Sequence, residues 1–301
     1  MKANQSSLFL HPYMLLFISI LSVSVSSIMI KFSDTPTSVA GMYRLYISVI
    51  IMLPFVSWKT VRSINMSKRD WCAVMVAGLF LGLHFLCWME SLVFTSVASS
   101  MVILSLQPVF VMIGSFFMFG EKAGSLTVFC LAAAVVGSFI IAWGDIGVSK
   151  EALIGDGLSL LGTILVSAYL LTGQKVSRKI DANLYSVIVF FIGGSVMLVY
   201  SLLNNITLFE YEASDWTYFL LLAIIPTIFG QYLFNVLLKT LGATTISVGI
   251  IGEPVLAIIL AYLFLGETIS IFQFVGGLIV LLGMCLYFRL RSAHVSRNVQ
   301  L

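Results

Sequence analysis

The sequence predicts an all-α polytopic membrane protein: ten transmembrane helices built as two inverted five-helix repeats. Three observations carry that expectation. Hydrophobic residues make up 60% of the 301-residue chain and charged residues only 10%, against roughly 45–50% and 25% in soluble domains. Apolar runs of about 20 residues, enough for a helix to cross a hydrocarbon core of ~30 Å, recur along the whole length. The second half also repeats landmarks of the first at an offset of 146 residues. Pro108 recurs as Pro254, Val109 as Val255, Ile113 as Ile259, Gly120-Glu121 as Gly266-Glu267, and Gly137 as Gly283.

Hydropathy places the first five spans at residues 12–32, 39–58, 71–90, 98–119 and 125–143. The other five fall at 156–175, 184–203, 216–238, 246–265 and 271–289. The repeats are therefore 12–143 and 156–289, followed by a cytoplasmic tail at 290–301. The first apolar run is long, lacks a small-residue cleavage site and is followed by further spans, so it is expected to be retained rather than removed as a signal. Trp58, Trp71, Trp88, Trp143 and Trp216 fall at predicted span ends, where an indole favours the headgroup layer.

Loop charge orients the spans. One side holds Lys59, Arg62, Lys68, Arg69, Lys122, Lys175, Arg178, Lys179 and Lys239, together with Lys2, Arg289, Arg291 and Arg297 near the termini. The other side holds Lys31 and Lys150 and an acidic loop with Glu210, Glu212 and Asp215. By the positive-inside rule both termini lie in the cytoplasm and the protein sits in the cell membrane. Five spans per half then force the two copies to cross in opposite senses. Inverted repeats of this kind place a midplane site between the halves and expose it alternately to each side.

The net charge of +3 gives no reason to expect nucleic acid, because the basic residues sit between spans. Cys72, Cys87, Cys130 and Cys285 lie in apolar runs without motif spacing and read as fillers, with no metal site and no cofactor implied.

Particular stretches carry a family resemblance. In the first half they are Met42-Tyr43-Arg44-Leu45, Ser91-Leu92-Val93-Phe94-Thr95-Ser96-Val97-Ala98, and Leu106-Gln107-Pro108-Val109-Phe110 leading to Gly120-Glu121. In the second half they are Leu238-Lys239-Thr240-Leu241-Gly242-Ala243-Thr244, Gly252-Glu253-Pro254-Val255, Leu265-Gly266-Glu267 and the run from Gly276 to Gly283. With these motifs in this order, the chain resembles the EamA family of the drug/metabolite transporter superfamily over residues 12–289. The resemblance implies ten helices and a central cavity lined by the first four helices of each half, with the fifth and tenth peripheral. It also implies transport of small metabolites. Tyr43-Arg44 has no second-half counterpart, since the equivalent helix reads Val187-Ile188-Val189-Phe190.

Polar groups within spans need an explanation, because a charge at mid-bilayer costs about 2.5–3.5 kcal/mol. Glu253 precedes Pro254, which has no N–H and frees the carbonyl of Ile250. A carboxylate there can bind a substrate amine or carry a proton; the alternative is a structural Glu at a kink. Gln107-Pro108 is the first-half counterpart with a neutral amide, suited to a substrate contact or to interhelical packing. Arg44 can hold a substrate carboxylate, snorkel outward, or pair with Asp34. His84 can face the cavity or serve as a hydrogen-bonded packing histidine. Gln231 and Asn235, four apart on one helix, share a face and either line the cavity or bond between helices. Phe85, Tyr169, Tyr232 and Phe234 can stack on a substrate or simply pack.

Pro108 and Pro254 read as helix kinks facing the cavity, with Pro54 and Pro226 as further kinks. Glu121 and Glu267 read as structural residues of short turns, and Gly78 with Gly82 as a close-packing pair. Lys31 is expected to snorkel, and Glu90 to be hydrated near the outer end.

No enzyme motif is present. The expected function is secondary transport of small metabolites by alternating access, with efflux of amino acids or related compounds as the best match. Protons are a candidate coupling ion, and a homodimer is compatible with the sequence. The different-class alternative is a non-transporting membrane sensor or assembly subunit.

Overall fold

A computed structural model of the chain describes residues 11–31, 33–57, 61–62, 64–95, 97–121, 124–143, 150–265 and 271–299. The expectations for Lys2, Trp58, Lys59, Lys122 and Gly266-Glu267, and for the side chains of Lys31 and Trp143, lie outside the described residues.

Helices account for the ordered elements, and no strand occurs among the described residues. The first half contains α1 (Pro12–Lys31), α2 (Thr37–Met52), α3 (Lys68–Phe94), α4 (Val97–Leu104), α5 (Gln107–Phe119) and α6 (Ser125–Trp143). The second half contains α7 (Lys150–Val176), α8 (Ala182–Leu203), α9 (Ala213–Leu222), a π-helical stretch (Ala223–Tyr232), α10 (Leu233–Ile250), α11 (Glu253–Leu265) and α12 (Ile271–Val299). Seven segments are long and apolar enough to cross a membrane, and Thr127–Ile140 and Phe274–Arg289 add shorter apolar helices. Helix α12 runs on to Val299, past the expected end at 289.

Local chemistry sets several boundaries. Ser67 and Asp70 form a capping box at the start of α3, and Asp181 accepts from the amides of Asn183 and Leu184 at the start of α8. Gly120 ends α5 in the left-handed conformation, φ 68°. Pro54 initiates a single 3-10 turn, Leu53–Phe55, after α2.

The 38-residue run Ala213–Ile250 would span ~57 Å as one straight helix, nearly twice the hydrocarbon core. Gly242 divides it, with φ 76° and ψ 164°. That backbone region is essentially open to glycine alone. Gly242→Ala should therefore destabilise the protein by about 1–3 kcal/mol, read as a lowered thermal midpoint in detergent; an unchanged midpoint would mean the elbow is not held in this geometry. Gln174 of α7 secures the elbow: its Oε1 accepts from the amide of Ala243, while its Nε2 donates to Glu121 Oε1 at 3.2 Å.

The helices pack in pairs that map onto one another when the halves are exchanged. Helix α3 packs on α7 and α8, and correspondingly the π stretch packs on α1 and α2. Helices α4 and α5 pack on α7, as α10 and α11 pack on α1. The α2–α8 and α6–α12 pairs map onto themselves. The relation holds at single residues. A Cβ on Gly137 would meet Gly276 O and Val280, whereas one on Gly283 would meet Cys130 O and Ala134. Shifting Cys130, Ala134 and Gly137 by the same 146 residues gives Gly276, Val280 and Gly283, so both glycines serve one crossing approached from opposite sides.

The distribution of side chains is that of a membrane protein. Phe17, Ile50, Phe117, Phe129, Phe191 and Leu282 are exposed, while Ser19, Ser24, Ser38, Ser159 and Ser201 are buried. Two serines of α1 return their hydroxyls to carbonyls four residues back, Ser19 to Leu15 and Ser24 to Ile20, both at 2.8 Å. These residues are therefore buried without an orphaned hydroxyl. The four cysteines are free thiols, ranging from buried Cys130 to exposed Cys72 and Cys285.

Candidate functional site

At the two proline landmarks the regular helix is interrupted. A two-residue turn separates α4 from α5 and another separates α10 from α11, so Gln107 and Glu253 each open a new helix with proline second. Proline is tolerated there because the first amides of a helix have no intrahelical acceptor. In both turns the bonding tightens to three-residue spacing: Leu106 N to Ile103 O at 3.1 Å, and Gly252 N to Gly249 O at 3.0 Å. Pro108 and Pro254 thus stand at helix starts, and Glu253 sits at an amino terminus that favours negative charge.

Both starts border one cavity. It is lined by Arg44, His84, Phe85, Trp88, Gln107, Gln231, Phe234 and Glu253, with Val23, Ser26, Leu104, Val166, Pro226 and Ile250 completing the wall. Its volume for the centres of water-sized molecules is ≈ 50 Å³, room for a few waters at about 10–15 Å³ each. Five of the six sequence-selected polar residues meet here: Glu253, Gln107, Arg44, His84 and Gln231. Asn235 does not. It accepts from the Tyr169 hydroxyl and donates through Nδ2 to Ser186 Oγ at 3.0 Å, joining α7, α8 and α10.

Gln231 lies in the π-helical stretch, whose i→i+5 pattern widens the turn. Pro226 sits inside that stretch, and Thr227 Oγ1 donates to Leu222 O at 2.8 Å, five residues back.

The same Thr227 hydroxyl positions Arg44. It accepts from Arg44 Nε at 3.0 Å, Ser26 Oγ accepts from Nη1 at 3.3 Å, and the guanidinium carbon lies 4.4 Å from the Phe85 ring centroid. Arg44 is 1% exposed, and Asp34 is exposed. Arg44 therefore neither snorkels nor pairs with Asp34; α2 directs it inward, where the π turn supplies an acceptor that no sequence motif announced. Among the described residues the Lys179–Asp70 ion pair, at 2.6 Å, lies elsewhere, at the start of α3. Arg44 and Glu253 thus share a cavity without direct contact.

A family profile described as the "EamA-like transporter family" matches residues 11–143 and 153–289. The chain belongs to this family. An uncharacterized transporter of Synechocystis is 23% identical over 264 residues, covering 83% of this chain and 74% of the relative. The Bacillus subtilis uncharacterized transporter YetK is 25% identical over 269 residues, 85% of this chain and 78% of its own. A crystal structure with 16% identity matches with a TM-score of 0.74 over 93% of this chain and 98% of that one, a likeness of fold. At family level, then, this is a multi-pass membrane transporter rather than an enzyme.

In this EamA-like transporter the cavity wall departs from the expected lining. Helices α6 and α12 stay peripheral, as the resemblance implies, but α8 contributes no lining residue. It is taken up by packing instead: Gly193 lies against Leu45 and Gly82, and Gly194 against Tyr46. The sequence reading placed Trp88 at the end of its span. Helix α3 continues to Phe94, and Trp88 is 4% exposed and stands one turn from His84 on the cavity face. Trp71 and Trp216, by contrast, are exposed near helix starts.

His84 has both roles weighed for it. Its Nδ1 lies 2.9 Å from the Gly162 carbonyl; a carbonyl only accepts, so Nδ1 carries the hydrogen and a neutral ring leaves Nε2 as an acceptor. Glu90 is half-buried and accepts from Thr37, and Glu121 accepts from Gln174. Neither borders the cavity.

Proposed function

We propose that this EamA-like protein is a secondary transporter that moves small metabolites across the cell membrane by alternating access, with export of amino acids or related compounds as its work. In this reading ten spans form two inverted repeats, residues 12–143 and 156–289, with both termini in the cytoplasm. The observation that carries it is the cavity where Gln107-Pro108 and Glu253-Pro254, the paired breaks of the two halves, come together. Broken helices meeting between repeats are the architecture by which secondary transporters bind a substrate at mid-membrane. Loop charge supports the orientation, and the exchange of packing partners between halves supports the repeat.

The cavity's small volume fits a contracted state that must widen to admit a metabolite. Purified protein in liposomes, challenged with a metabolite panel at clamped pH and potential, tests the reading. Saturable flux above empty liposomes is expected; none for any compound would remove the transport assignment. Proton coupling, if present, is assigned to Glu253, the carboxylate that borders the cavity. Glu253→Gln should then leave flux independent of the pH gradient, and an unchanged pH response with intact flux would exclude it as the carrier.

A further inference from the structure

Two buried hydrogen-bond donors at the cavity are unsatisfied. Trp88 Nε1 and Gln107 Nε2 have no hydrogen-bond partner among the described residues, although their residues are only 4% and 1% exposed. Both residues border the cavity that Arg44 borders. A buried donor left unpaired carries its full desolvation penalty, so two on one cavity point to an acceptor that arrives from outside. Arg44 adds to the set. Of the five N–H donors of a guanidinium, Thr227 and Ser26 engage two, and Arg44 lines the cavity.

We propose that Arg44, the indole N–H of Trp88 and the side-chain amide of Gln107 form a subsite for a carboxylate, so that the compounds carried are organic acids or zwitterions. This rests on the transport reading above. The charge count selects the ligand: one guanidinium with two neutral donors matches a single negative charge, and no lysine or second arginine lines the cavity to balance a phosphate dianion. The planar guanidinium suits a carboxylate's two oxygens, and the neutral donors fill its remaining lone pairs. Glu253 and Gln231 supply acceptors on the same cavity for an ammonium group, while Phe85 and Phe234 offer apolar wall. A zwitterion therefore meets donors for its carboxylate and acceptors for its ammonium on one cavity.

Calorimetric titration of the purified protein tests the subsite directly. The probes are the twenty proteinogenic amino acids, their α-carboxamides and the matching decarboxylated amines. At least one acid should bind saturably, with its carboxamide and amine at least about tenfold weaker. Trp88→Phe, which keeps the ring but removes the N–H, should weaken acid binding roughly 10- to 100-fold, the range for a hydrogen bond to a charged group. The carboxamide, a neutral acceptor, should weaken clearly less.

An acid and its carboxamide binding equally well, the absence of any acid binding, or a Trp88→Phe loss equal for acid and carboxamide would each overturn the subsite. The first two outcomes come from the unaltered protein and do not depend on any variant folding. The transport reading stands or falls separately. An acid that binds but is not moved into liposomes would remove transport and leave the subsite, whereas flux of amines or neutral compounds without acid binding would do the reverse.

Discussion

Arg44→Gln is expected to abolish flux, by about 100-fold or more, while leaving the protein as thermally stable as before or more so. The two effects have opposite physical origins. A charged side chain within the bilayer costs about 2.5–3.5 kcal/mol on insertion scales. Arg44 is buried, yet no carboxylate offsets that cost by direct contact; its partners are two hydroxyls and a ring face. Glutamine is shorter and neutral, and its amide can still donate to a neighbouring hydroxyl. Its introduction removes the buried charge at the cost of about 0.5–1.5 kcal/mol for each hydrogen bond lost. Function has no such compensation, because the fixed positive charge on the cavity goes with the guanidinium. Thermal unfolding in detergent and flux in liposomes, measured on the same preparation, check both halves. Retained flux, or a midpoint drop of many degrees, would make Arg44 a packing residue instead.

Gly82→Val should destabilise the fold by about 3 kcal/mol, the upper end of the usual cost of overpacking. A Cβ on Gly82 would lie 2.8 Å from Gly193 O and 2.9 Å from Gly193 Cα. These are backbone atoms of α8, so no rotamer change relieves the clash and the two helices must separate. The same crossing holds Gly78, whose Cβ would meet Ile192 Cβ at 2.7 Å. Because α3 carries His84, Phe85 and Trp88 on its cavity face, separation would also displace the site, and flux should fall with stability. Gly157 of α7 is the control: it is exposed and nothing lies within 4 Å of an added Cβ. Gly157→Ala should be neutral or slightly stabilising, since alanine is the better helix former. Equal midpoints for Gly82→Val and Gly157→Ala would show that the crossing tolerates separation.

Periodicity and composition made much of this legible before any coordinates. Continuous apolar runs can only be helices buried in lipid, and the rarity of polar residues within them makes each one conspicuous. Glu253, Gln107, Arg44, His84 and Gln231 could be named for that reason, and the cavity collects all five. Asn235 takes the other role open to it, a bond between helices, and Trp88 was not among the residues so named. Hydropathy ends α3 at residue 90, whereas the helix continues to Phe94 and carries Trp88 inward. Thr227 and Ser26 carry no signal in a single sequence, because an ordinary hydroxyl becomes notable only once a guanidinium rests on it.

The sequence alone determined the solvent in which this chain folds, its twofold internal repeat and the few polar groups worth suspecting. Those properties follow from residue type and spacing along the chain, and they survive any arrangement of the helices. Tertiary structure decided which suspects share a cavity, that Arg44 turns inward without a carboxylate against it, and that Trp88 and Gln107 hold donors with nothing to meet. Such facts depend on which helix faces are opposed. That is fixed by contacts such as Gly82 on Gly193, whose partners lie on separate helices and leave no trace in the order of the residues.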